Sequence, residues 1–95
     1  MFVRCFITIF IRAEDGAKGL KHKQKIAEQV LLKRGYTSEG TKTAENARRV
    51  TIYTTIKSER VETPQQAIDR VAKEITEATE RTAVGRPAGW SPRKR

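Results

Sequence analysis

From Val3 to Arg12 the chain alternates strictly in side-chain character. Val3, Cys5, Ile7, Ile9 and Ile11 are apolar, and Arg4, Phe6, Thr8, Phe10 and Arg12 between them are basic, aromatic or hydroxylic. Successive side chains on a β-strand point to opposite faces. A strand here therefore has one aliphatic face fit for a core and one face of rings and cations. The segment Phe2 to Ala13 is rich in β-branched and aromatic residues and meets no Gly or Pro until Glu14-Asp15-Gly16, so it predicts the first strand. Arg48 to Ser58 repeats the pattern. Val50, Ile52, Thr54 and Ile56 form one set, and Arg49, Thr51, Tyr53, Thr55 and Lys57 form the other.

Two segments carry a helical period instead. From Ala17 or Leu20 to Arg34, the apolar residues Leu20, Ile26, Ala27, Val30 and Leu31 recur at a spacing near 3.6 residues, with Lys33 and Arg34 suited to the C-terminal turn and Gly35 to a stop. The second helix is better marked. Thr63 is a good N-cap, Pro64 fits the first helical position, and Gln66 completes a capping box. Its apolar stripe is Ala67, Ile68, Val71, Ala72, Ile75 and Ala78. Asp69 precedes Lys73, and Glu77 precedes Arg81, by four residues, the favourable order for pairing along a helix. Between the first helix and Arg48, the Thr-rich stretch Tyr36 to Thr43 reads as a weak strand or irregular hairpin arm.

The resulting order is β-α-(β)-β-α. It predicts a small α+β domain, an antiparallel sheet with two helices on one face, over residues 1–84. This order resembles a ferredoxin-like arrangement without its last strand, because Gly85, Pro87 and Gly89 break regular structure and leave only Thr82 to Val84 for one. Residues 85–95 are then expected to be a disordered basic tail. The free edge of the first strand, unguarded by Pro or Gly, invites pairing with a second copy in a homodimer. Ile9 to Glu14 faintly echoes Thr54 to Glu59, and a helix follows each, as two related βα units would show.

A chain of 95 residues makes one domain with a small core. No apolar run approaches the roughly 18 residues of a membrane span, so no membrane association is expected. The N-terminal apolar segment reads as a strand and not as a signal peptide. One cysteine and one histidine provide neither an intrachain disulfide nor a zinc set, which suits a reducing, cytoplasmic setting. The formal net charge is +9, and its placement is uneven. Residues 35–84 hold eight basic and eight acidic side chains, and residues 1–17 also balance. The excess lies in residues 18–34, where Lys18, Lys21, Lys23, Lys25, Lys33 and Arg34 face only Glu28, and in residues 85–95, with Arg86, Arg93, Lys94 and Arg95. Two concentrated cationic segments attract polyanions.

The candidate binding residues follow. On the non-aliphatic strand face, Phe6, Phe10 and Tyr53 stand among Arg4, Arg12, Arg49 and Lys57. Flat rings stack on bases and cations hold phosphates, a combination that suits single-stranded nucleic acid. The face is similar in its logic to that of an RRM, without either of that family's sequence motifs. Lys21, Lys23 and Lys25, near the start of the first helix, are candidate phosphate ligands beside the helix's exposed amides, and Arg86, Trp90, Arg93, Lys94 and Arg95 extend the set into the tail. Cys5, on the aliphatic face, reads as an inert core thiol. No carboxylate pair, His-based constellation or glycine-rich phosphate loop is present, so no catalytic residue and no metal or small-molecule cofactor is expected. The stretch Leu31 to Tyr36 running into a Thr-rich arm resembles small double-stranded-RNA-binding-like toxins. Their ribonuclease activity depends on a strand histidine, which this chain lacks, so the activity does not carry over.

The reading is a small, non-enzymatic accessory or regulatory protein that binds nucleic acid, single strands in preference. The alternative is a protein-binding module or inhibitor, such as a phage- or mobile-element-type effector, that engages a host protein through the same rings and arginines.

Overall fold

The computed structural model describes residues 1–44, 46 and 48–88. The chain folds as an α+β domain with one four-stranded antiparallel sheet and two helices. Strand β1 is Phe2–Phe10, helix α1 Gly16–Lys33, β2 Ser38–Thr43, β3 Arg49–Lys57, α2 Pro64–Thr79 and β4 Ala83–Pro87. The order across the sheet is β2-β3-β1-β4, so the resemblance to the ferredoxin-like arrangement extends to the final strand.

That last strand corrects the sequence expectation. Gly85 and Pro87 do not end the regular structure; they lie within β4, which pairs with β1 from Cys5↔Pro87 to Ile9↔Ala83. The edge of β1 is consequently not open, and β1 lies between β3 and β4. A homodimer built by pairing β1 with β1 has no edge to use. The outer edges belong to β2, which carries Glu39, Lys42 and a register shift between Ser38 and Gly40, and to β4, which ends on a proline; both are devices that discourage edge association. The rest of the expected tail, from Gly89 with Trp90, Arg93, Lys94 and Arg95, lies outside the described residues.

The two sets of alternating side chains separate as expected. Val3, Cys5, Ile7, Ile9 and Ile11 join Val50, Ile52 and Ile56 in one buried cluster with Leu20, Ala27 and Leu31 of α1 and Ala67, Ile68, Val71, Ala72 and Ile75 of α2. Both helices therefore cover the same sheet face. Thr54, buried in that layer, donates its hydroxyl to the carbonyl of Thr37 at 2.8 Å, which satisfies the group. Burial, with Glu39 adding to it, pushes the Cys5 thiol up to about 11, in keeping with an inert core residue.

The helix ends follow their local signals. Thr63 Oγ1 accepts from the Gln66 amide at 3.1 Å and the Gln66 side chain accepts from the Thr63 amide at 2.9 Å, completing the capping box. Gly35, at φ 83°, follows the end of α1, a backbone conformation that favours glycine. Two details of α2 differ from the periodic reading. Thr79 is buried where Ala78 was expected, and Ala78 is exposed; the Thr79 hydroxyl is satisfied by the Ile75 carbonyl at 2.7 Å. Arg81 does not pair with Glu77. Its guanidinium forks onto Asp15, 66 residues away, with Nε at 2.8 Å and an Nη at 2.5 Å.

This fork ties the start of α1 to the turn after α2. Asp15 also accepts from the Arg12 amide at 3.0 Å, and together the Arg81 hydrogen bonds and this amide hold its carboxyl well below the ordinary range. A carboxylate whose folded pKa is depressed stabilises the fold above its unfolded pKa of about 3.9, and the contribution fades as pH falls toward the folded value. Asp15→Asn is expected to be destabilised near neutrality, with its deficit relative to wild type shrinking once the pH drops below about 4. Urea denaturation at both pH values measures this; an equal deficit at each would remove charge from the explanation.

Candidate nucleic-acid interface

The helix-free face of the sheet collects the even-numbered residues of β1 and the odd-numbered residues of β3. Cross-strand register fixes their neighbours. Phe6 lies opposite Tyr53, Thr8 opposite Thr51, Phe10 opposite Arg49, Arg4 opposite Thr55, and Phe2 opposite Lys57. Phe6↔Tyr53 is the middle one of the nine β1–β3 pairs, and their ring centroids are 6.0 Å apart with the planes tilted by 47°. On the outer side of β1, Arg86 of β4 is the partner of Phe6 and Val84 that of Thr8. On the outer side of β3, Lys42 of β2 is the partner of Thr51, and Gly40 that of Tyr53. A Cβ at Gly40 would meet nothing within 4 Å, so the flank of the tyrosine ring toward β2 is open.

Two near-symmetric halves produce this arrangement. β1 and β3 exchange places about the Phe6↔Tyr53 pair, and β4 and β2 flank them on corresponding outer sides. The faint echo between the two βα segments, which aligns Ile9 with Thr54, is offset by two residues from this geometry, which places Ile9 over Ile56. The result is a row across the sheet, Gly40-Tyr53-Phe6-Arg86, with a Thr8-Thr51 pair beside it whose hydroxyls are 3.0 Å apart. A shallow depression of about 290 Å³ runs over Phe6, Thr8, Lys42, Ala44, Arg49, Thr51 and Tyr53.

Exposure follows from the missing second layer. Phe10 and Tyr53 are 41% and 38% exposed and Phe6 is half-buried, while Arg4, Arg12, Arg49, Lys57 and Arg86 are exposed. Phe2 is 73% exposed and shares the face by register; extending the alternation one residue toward the N-terminus would have found it. Val84 and Lys42 also join the face. Their positions could not be read without the pairing of β4 and β2. Among the described residues Glu39 reaches this surface, where the Thr55 hydroxyl donates to it at 2.7 Å. The surface is therefore aromatic at its centre and cationic around it.

The helix lysines are placed differently from expectation. α1 begins at Gly16, preceded by a 3-10 turn over Ala13–Asp15, so Lys21, Lys23 and Lys25 lie beyond the first turn and its exposed amides. They also do not form one set. Lys21 and Lys25 are exposed and border a depression with Lys18, His22, Gln24 and Glu28. Lys23 is half-buried on another side of the helix, where its charge adds to the forces keeping Asp15 ionised. Because α1 covers the opposite sheet face, Lys21 and Lys25 are separated from the aromatic surface by the thickness of the domain.

Among the described residues no group of three or more His, Cys, Asp or Glu side chains is placed to hold a metal ion, and no helix is long and apolar enough to cross a membrane. Comparison of the chain with known protein families, with curated proteins and with solved structures found no match.

Proposed function

We propose that the chain is a non-enzymatic single-strand nucleic-acid-binding protein whose site is the helix-free sheet face. The observation that carries this reading is the Phe6–Tyr53 pair at the centre of that face, surrounded by Arg4, Arg49, Lys57, Arg86 and Lys42. Stacking a base on an aromatic ring is worth roughly 1–3 kcal/mol and tolerates any base, because every base presents a π-face. The surrounding cations are positioned to take phosphates, releasing counterions as they do so. Duplexes hide their base faces and would use the cations alone. Arg93, Lys94 and Arg95, at the C-terminus, add phosphate affinity without base preference.

Rings flanked by arginines also describe a protein-binding surface, and a binding titration separates the two readings. Electrophoretic shifts with single-stranded DNA, single-stranded RNA and duplex DNA across a salt series should show single strands bound more tightly than duplex. Affinity should fall as salt rises. Equal binding of duplex and single strand would remove stacking from the account. Absence of binding at low salt, with Phe6→Ser, Phe10→Ser converting a dimer to a folded monomer, would make the face a protein interface.

A further inference from the structure

The two helices lie side by side on the sheet yet differ in the charge they turn outward. On α2, Asp69, Lys73 and Glu77 alternate in sign, while Arg70 and Glu74 are taken up by ion pairs with Glu62 and Arg34. On α1, Lys18, Lys21 and Lys25 follow one another at spacings of three and four residues, with His22 beside them, around a depression of about 470 Å³. Like charges at these spacings destabilise an isolated helix. The neighbouring acid is Glu28, which accepts a hydrogen bond from Gln24 at 3.4 Å. None of the ion pairs among the described residues includes Lys18, Lys21 or Lys25.

We infer that this α1 face is a second phosphate-binding surface, and that the chain bridges two nucleic-acid segments, one on each side of the sheet. The inference rests on reading the sheet face as a single-strand site. Lys18 to Lys25 spans about 10 Å at 1.5 Å per helical residue, so the three long side chains can reach neighbouring phosphates of one backbone. The surface has no ring to stack a base and takes backbone alone. Simultaneous occupancy is compatible with electrostatics. A whole helix, about 10–12 Å across, and the sheet beneath it separate the two surfaces, and the shortest principal extent of the domain is 18 Å between Cα atoms. That distance exceeds the Debye length of about 8–10 Å at moderate salt, so two bound strands barely repel each other. A membrane surface fits the patch less well, because interfacial helices need an apolar face to insert. The exposed apolar residue on this stripe, Leu32, lies seven residues beyond Lys25 and past Glu28.

The test uses the full chain and two single-stranded oligonucleotides of about eight nucleotides, one carrying a donor dye and one an acceptor. The wild type should bind two strands per chain. Energy transfer should rise and then decline as excess protein separates the strands. The triple variant Lys18→Glu, Lys21→Glu, Lys25→Glu should keep its helical circular dichroism and one strand per chain, and lose at least tenfold in energy transfer. In the wild type the second, lysine-dependent binding step should show a salt slope, log K against log salt, of about −2, as three single-strand phosphate contacts require, and the variant should lack that step while its sheet-face step keeps the wild-type slope. Full energy transfer in the triple variant, or a wild-type stoichiometry of one, overturns the inference. Mixing the triple variant with Phe6→Thr, Tyr53→Thr must not restore transfer; restoration would assign bridging to association between chains. Lysine-dependent binding to phosphatidylserine vesicles without wild-type bridging would assign the patch to a membrane instead. Failure of the sheet-face reading shows separately, as unchanged single-strand affinity in Phe6→Thr, Tyr53→Thr.

Discussion

The double variant Phe6→Thr, Tyr53→Thr is expected to remain folded and to lose at least about thirtyfold in affinity for a single-stranded oligonucleotide, since two stacking contacts at roughly 1–3 kcal/mol each are removed. The fold should tolerate the change for a reason visible one row away. Thr8 and Thr51 already stand opposite each other on this face with their hydroxyls 3.0 Å apart. A Thr pair at 6 and 53 extends that row, keeps β-branched residues in both strands, and leaves the core face untouched. The loss should persist at high salt, because stacking does not depend on counterions. Arg49→Gln or Arg86→Gln, in contrast, should produce a smaller loss that disappears as salt rises. Fluorescence anisotropy at two salt concentrations distinguishes these outcomes. A ring-deficient variant that binds as tightly as wild type would leave only charge, and the sheet face would no longer be the site.

What the sequence disclosed about this surface, and what it withheld, divides along the range of the interactions involved. Alternation within β1 and β3 is a local property, so the assignment of Phe6, Phe10, Tyr53, Arg4, Arg49 and Lys57 to one face could be read from spacing alone. The start of α2 was legible for the same reason, because Thr63, Pro64 and Gln66 act within one turn. Lys42 and Val84 depend on which strands pair, and β2 is exposed along its whole length, so no hydrophobic pattern announced its register. Arg81 had a plausible partner four residues away in Glu77, yet the structure gives it Asp15, a choice set by the packing of α1 against the end of α2. The grouping of Lys21, Lys23 and Lys25 was avoidable: residues two apart on a helix lie on different sides, and only Lys21 and Lys25 could share one with Lys18.

The missed strand β4 has the most specific physical explanation, and it yields the stability experiment. Gly85 resembled a breaker, but it faces the core opposite Ile7. A Cβ there would collide with Cγ2 of Ile68 on α2 and come within 3.2 Å of Ile7 Cγ1. The glycine is what allows α2 to rest against β4, and its carbonyl accepts from Gln65 Nε2 at 3.0 Å across the same contact. Pro87 is tolerated because it occupies the end of an outer strand, where one missing amide costs little. Gly85→Ala should therefore destabilise the domain by about 1–3 kcal/mol through overpacking, and Ile68→Ala by about 2–5 kcal/mol through the cavity it leaves. Removal of the Ile68 methyl provides the room that the new Cβ needs. The double variant should then be more stable than the sum of the two losses predicts, by at least about 0.5 kcal/mol, which is the scale of coupling between residues in contact. Urea denaturation of the four proteins completes the cycle. Strict additivity would mean that Gly85 and Ile68 do not touch.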